Sequence, residues 1–215
     1  MANVNRPRGL MPTRHLHSGE YNGMVNLYAF SASDSVGDAY KGDMVCADTS
    51  HNATELTDPY APGIPLVSAK VAAFTTGISR GVIAGFVPAP EYNMTVTASL
   101  GTMYRANSTA RYVWVVDDYL TVFEAQQILN SWTTGTANMV NSSADIDYTA
   151  GSQITGISGV QVAASSTGKL PLRVLRLTQR VDNFNSTAAD TSAYFKVDVL
   201  NSSSDLGLNA VSVGA

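Results

Sequence analysis

The 215-residue chain is poor in charge, in cysteine and in histidine, and each shortage closes off a class of function. Charged residues make up 14% of it, well under the roughly 25% of an ordinary soluble domain. Because 45% is hydrophobic, much of the surface must be Ser, Thr, Asn and Gly, which a protein living inside an assembly tolerates well. The net charge of −4 and a pI near 5.2 argue against a broad cationic face for nucleic acid. The one cysteine, Cys46, permits no internal disulfide, and its place behind Met44-Val45 in a strand-like run predicts a structural thiol rather than a nucleophile. No run of about 18 apolar residues offers a membrane-spanning helix. The opening residues lack the apolar core of a signal peptide, so the expectation is a chain made and kept in a cytosol. On that expectation the Asn-x-Ser/Thr triplets at Asn52, Asn93, Asn107, Asn141, Asn185 and Asn201 read as polar loops rather than glycan acceptors. No internal repeat of fixed period is visible.

What the chain does have begins with its first segment. Asn5 to His15 holds Arg6, Pro7, Arg8, Gly9, Leu10, Pro12 and Arg14, and its prolines fix φ and remove backbone donors, which rules out a helix or a central strand. This predicts an extended N-terminal arm over residues 1–22, loose unless a neighbouring surface organises it, with cationic side chains suited to an acidic partner. Beyond it β signals dominate. Met24 to Phe30 and Tyr194 to Leu200 alternate as half-buried strands, with Phe195, Val197 and Val199 opposite Lys196 and Asp198. Tyr112 to Val116 and Gly81 to Val87 are apolar on both faces and should be central strands, the glycines at 81 and 85 marking a bend or a close backbone approach. The only helix candidate is Thr121 to Asn130, with an alternating strand over Thr121 to Gln126 close behind. The polar connections Thr49 to Pro65 and Thr133 to Thr155 are candidate docking loops. The fold expected is mainly β, a small barrel or sandwich over residues 23–200, with room for two sub-barrels split near 95–110 and a weakly ordered tail at 201–215.

The chemistry motifs all read better as structure. Gly77-Ile78-Ser79-Arg80-Gly81 matches the G-x-S-x-G elbow, but a strand follows it where that motif needs a helix, and His15, His17 and His51 all precede Ser79. A His51, Asp58, Ser79 order has no support around it. His15 and His17 form an H-x-H pair with no further ligands to complete a zinc site. Asp117-Asp118 would point to opposite faces of a strand. Gly168-Lys169 lacks the earlier glycine, Ala163 standing in its place, and the following hydroxyl, replaced by Leu170, of a phosphate loop. Asp34 to Asp38 is too short for a calcium loop and reads as an ordinary turn. No catalytic, metal or cofactor residue is therefore named. Arg173, Arg176 and Arg180 punctuate an apolar run and serve either an edge strand's solubility or contacts with another subunit.

Taken together, Asn5 to Pro12, Tyr21 to Tyr28, Gly42 to Val45, Gly81 to Phe86, Ala110 to Asp118, Leu172 to Leu177 and Arg180 to Asn183 resemble the head cement or decoration proteins of tailed, particularly short-tailed, bacteriophages. The resemblance implies a structural virion protein and no enzyme. It would be made in the bacterial cytoplasm and would sit on the outer surface of the head as a homotrimer bridging major capsid protein subunits, with no nucleic acid, membrane or cofactor as partner. The contact residues expected are Arg6, Pro7, Arg8, Leu10, Arg14, Arg173, Arg176 and Arg180. A rival reading is a virion adhesin that binds host glycans through Trp132, Tyr148 and the Asn-rich loops.

Overall fold

A computed structural model describes residues 5–17, 19–48, 63–69, 79–87, 103–128, 140–164, 171–180, 183 and 194–204. In chain order the strands are β1 (Met11–His15), β2 (Asn26–Phe30), β3 (Met44–Ala47), β4 (Val67–Ala69), β5 (Ser79–Phe86), β6 (Arg111–Val116), β7 (Thr121–Gln126), β8 (Ser143–Asp147), β9 (Gln161–Ala164), β10 (Leu172–Leu177) and β11 (Lys196–Asn201). The chain is mainly β. Its strands make two antiparallel sheets, one of six in the order β1-β7-β11-β10-β8-β9 and one of five in the order β2-β6-β5-β3-β4, and they do not close into a barrel. The six-stranded sheet curls toward itself all the same. Beyond the end of β7, Ile128 N–H donates to the Val162 carbonyl at 3.0 Å and Gln127 bridges Val162, one contact where a barrel would need a ladder.

The alternating strands face as their patterns demand. Phe195, Val197 and Val199 are buried inward while Lys196 and Asp198 face out. On the inner face Val197 and Val199 meet Phe123, Ala125, Ala144, Ile146, Leu172 and Val174 of the same sheet, and Met44, Val82 and Val116 of the other. Since β5 and β6 are interior strands with apolar side chains on both faces, the five-stranded sheet also buries its far side, where Tyr28, Phe30, Val45, Ile83, Val113 and Val115 gather. The segment Thr121–Gln126 is a strand and not the first turns of a helix. β1 and β11 flank it on either side, and Asp118 starts it by accepting the Leu120 N–H on Oδ1 (2.9 Å) and the Thr121 N–H on its carbonyl (3.1 Å). Within the connection 133–155, Ser143–Asp147 is a strand too, because Ala144 and Ile146 alternate inward between polar neighbours. Residues 49–62 and 133–139, the part of the suggested split near 95–110 that falls before residue 103, and the tail from 205 lie outside the described residues.

Two buried charges shape the five-stranded side. Arg105 is wholly buried and lies 4.9 Å from the Phe30 ring. Its guanidinium donates to the carbonyls of Thr109 (2.9 Å), Gly37 (2.9 Å), Ser31 (3.1 Å) and Asp34 (2.5 Å), and its Nη1 stands 3.2 Å from Asp34 Oδ2. The Asp34–Asp38 stretch is thus no ordinary turn but the wall of an arginine cage. Asp43, at the entry to β3, is 1% exposed. Oδ2 accepts the Tyr40 N–H (2.8 Å), yet burial pushes the carboxyl up to about 7, with the Ser158 hydroxyl and the Tyr40 N–H opposing it.

Both close packing and buried charge give measurable expectations. A Cβ at Gly81 would overlap the Val116 carbonyl oxygen and stand 2.7 Å from Val115 Cγ1, whereas one at Gly85 meets nothing within 4 Å. Gly81→Ala should cost about 1–3 kcal/mol in urea unfolding and Gly85→Ala well under half of that. For Asp43, the unfolded chain ionises from about pH 4 while the folded chain keeps the proton to about pH 7, so stability falls across that window as pH rises. Asp43→Asn should therefore gain about 2–4 kcal/mol at about pH 8 and almost nothing at about pH 4, read as the difference in melting temperature between the two.

Candidate functional site

Among the described residues, most of the accessible cations lie on the outer face of the six-stranded sheet. Alternation on β11 turns Lys196 and Asp198 outward, pairing them with Gln126 and Glu124 of β7. On β10 the register shifts between Val174 and Arg176, so Arg173 and Arg176, three residues apart, both leave the core. Arg176 Nε donates to Asp198 Oδ2 at 2.7 Å, Arg14 Nη2 of β1 lies 3.8 Å from the same oxygen, and Thr178 donates to Oδ1 at 2.8 Å. Asp198 is 3% exposed beneath them, which makes it the acidic hub of a cationic surface. Arg180 Nη1 reaches Glu124 Oε1 at 3.2 Å. Asn183 closes this corner by donating to the carbonyls of Thr178 (2.9 Å) and Lys196 (2.7 Å) while accepting the Lys196 N–H (2.8 Å).

The surface that organises the N-terminal segment is this chain's own. Pro12 pairs with Phe123 on β1, an edge strand, where its missing donor costs the ladder least. Before it, Gly9 and Gly42 cross at backbone contact: a Cβ on Gly9 would stand 2.5 Å from the Gly42 oxygen, and φ is +68° and +96° at the two residues. Leu10 N–H then donates to that same Gly42 oxygen (2.9 Å), and its side chain is 1% exposed in the core between the sheets. Leu10 must accordingly be struck from the candidate contacts, because its own core consumes it. Upstream, Gln126 accepts the Arg6 N–H on Oε1 (2.8 Å) and donates to Asn5 Oδ1 (2.7 Å), which lays residues 5–8 along the sheet. The result is an open cleft of about 160 Å³ lined by Arg6, Arg8, Met11, Thr13, Glu124, Gln126, Arg180 and Lys196 among others.

Of the expected contact residues, Arg6, Arg8 and Arg180 thus meet in one cleft and Arg14 and Arg176 meet over Asp198. Pro7 is half-buried beside the first group, and Arg173 is exposed farther along β10. Sequence reading missed Lys196, Gln126, Glu124 and Asp198. For Lys196 and Asp198 the signal was the outward half of the β11 alternation and for Glu124 and Gln126 the polar half of β7, but nothing local places either beside residues 6 and 8.

The motifs that invited enzyme readings are taken up in structural contacts wherever they fall within the described residues. Ser79 is buried at the start of β5, donating to Asn201 Oδ1 at 2.7 Å and receiving the Ser203 hydroxyl at 3.2 Å, so it stitches the two sheets together. His51 and Asp58 lie outside the described residues. His15 is held by Asp118 (Nδ1 to Oδ2, 2.9 Å) and Asn22 (Nε2 to Oδ1, 3.4 Å), while His17 is exposed. Asp117 turns the other way to accept from Asn26 (2.9 Å) and from the Tyr28 hydroxyl (2.7 Å), which burial and this bond push up to about 12. Cys46 is a half-buried strand residue. Among the described residues no three His, Cys, Asp or Glu side chains could hold a metal ion together. Tyr148, named for glycan stacking, is half-buried with its hydroxyl donated to the Asp38 carbonyl (3.4 Å), and Trp132 lies outside the described residues.

Set against protein-family models, curated proteins and solved structures, the chain matches none.

Proposed function

We propose that this chain is a structural virion protein that decorates the outside of an icosahedral phage head, as a homotrimer bridging major capsid protein subunits. The reading rests on the sequence resemblance, and one structural observation supports it most. Cations from residues 6, 8, 14, 173, 176, 180 and 196 share the outer side of one sheet in a chain whose net charge is −4. Concentrating positive charge there while the rest of the molecule is acidic gives the protein a polarity, with one face suited to an acidic shell and the others repelled by it. Three such faces joined in a trimer would hold firmly through effective concentration even where each contact is modest.

Co-sedimentation with undecorated, expanded heads tests this. Wild-type protein should bind, and binding should fall as salt rises through the range where the Debye length drops below about 8 Å. Arg6→Ala/Arg8→Ala should reduce occupancy while leaving the circular dichroism spectrum unchanged, since both side chains are exposed. Deleting residues 1–14 is the wrong probe, because it removes Leu10 from the core and β1 from the sheet. Wild-type protein that stays in the supernatant at every salt concentration would sink the reading.

A further inference from the structure

We propose that the cleft under the N-terminal segment is a receptor for the carboxylates of an extended acidic segment on a partner protein. This rests on the reading of that face as a docking surface and deepens it by naming what the face grips.

Four cationic side chains, Arg6, Arg8, Arg180 and Lys196, line the cleft against one carboxylate, Glu124. They come from three distant stretches of chain, and the Gln126 clamp on Arg6 N–H and Asn5 fixes the first of these relative to the sheet. Gathering like charge in this way is unfavourable in the free protein unless an anion offsets it. Glu124 already does so in part through Arg180, at 3.2 Å and 3.4 Å, so a carboxylate demonstrably fits the chemistry of the site. The arginines add the planar, two-donor geometry that matches a carboxylate.

Size and surroundings decide between anions. At about 160 Å³ the cleft is below the roughly 300–1,000 Å³ of a small-molecule pocket, and has room for one or two acidic side chains entering from outside. A nucleic acid would need a continuous cationic track. Here the cationic stretch runs only as far as Arg173 and Arg176 on β10, because β8 beyond it presents Asp145 and Asp147 on the same outer side, where a long polyanion meets repulsion. A short acidic segment does not.

The test uses the full chain and labelled oligoglutamate and oligoglutamine peptides, followed by fluorescence anisotropy at low salt. Wild type should bind the glutamate peptide and not the glutamine peptide. Arg6→Ala/Arg8→Ala should weaken binding about fivefold, the scale of two partly exposed ion pairs. Glu124→Gln should tighten it, a gain that misfolding cannot produce, and Arg173→Ala, on the same face but outside the cleft, should leave it unchanged. Equal losses in Arg173→Ala and Arg6→Ala/Arg8→Ala would mean diffuse attraction and overturn the site. So would oligothymidylate binding as tightly as oligoglutamate, or a self-associated wild type that the glutamate peptide drives apart, which would make the occupant a second copy. Attachment to heads with no peptide capture would remove this assignment and leave decoration standing, while capture without attachment would retain the cleft and remove decoration.

Discussion

A sheet with apolar side chains packed against both of its faces leaves its central strands little access to water, and the rest of this fold answers to that constraint. The five-stranded sheet meets the six-stranded one through Met44, Val82 and Val116, and turns Val45, Ile83, Val113 and Val115 the other way. Whatever covers that second side must satisfy its own polar groups without water. Arg105 meets the demand: one side chain caps Phe30 and at the same time takes up the carbonyls of Ser31, Asp34, Gly37 and Thr109. The same tightness forbids a side chain at Gly81 and pushes the Asp43 carboxyl up to about 7.

The six-stranded sheet is under the opposite constraint, because its outer side is open and polar. Charge there is not scattered. Asp198 and Glu124 sit as fixed acids to which Arg14, Arg176 and Arg180 are tethered, leaving Arg6 and Arg8 at the rim of a cleft. Such a surface is ordered before any partner arrives, so less side-chain freedom is lost on contact.

What the sequence revealed followed from periodicity. The central positions of β5 and β6, the inward set Phe195, Val197 and Val199, and the mainly β class were legible because two-residue alternation and short doubly apolar runs depend only on neighbours. Thr121–Gln126 was ambiguous because six residues with Val122 and Ala125 apolar satisfy a helix and a strand alike, and only flanking partners decide. Ser143–Asp147 was hidden by its serine and aspartates. For the candidate site, its arginines were visible as charges but their meeting place was not. Arg6 and Gln126 are 120 positions apart, as Asp34 and Arg105 are 71 apart, and no local pattern encodes such pairings.

The strand order has a consequence in time. β7 is flanked by the first and the last of the described strands, β1 and β11. During synthesis residues 11–15 emerge long before β7 and have no ladder to join until it follows, and that ladder lacks its other neighbour until residues 196–201 are made. Pairings of such long sequence separation are slow to form. The cleft, drawing on residues 6, 124 and 196 together, is therefore among the last features to exist, and a half-made or misfolded chain does not carry it. A partner that recognises this cleft reads completed folding.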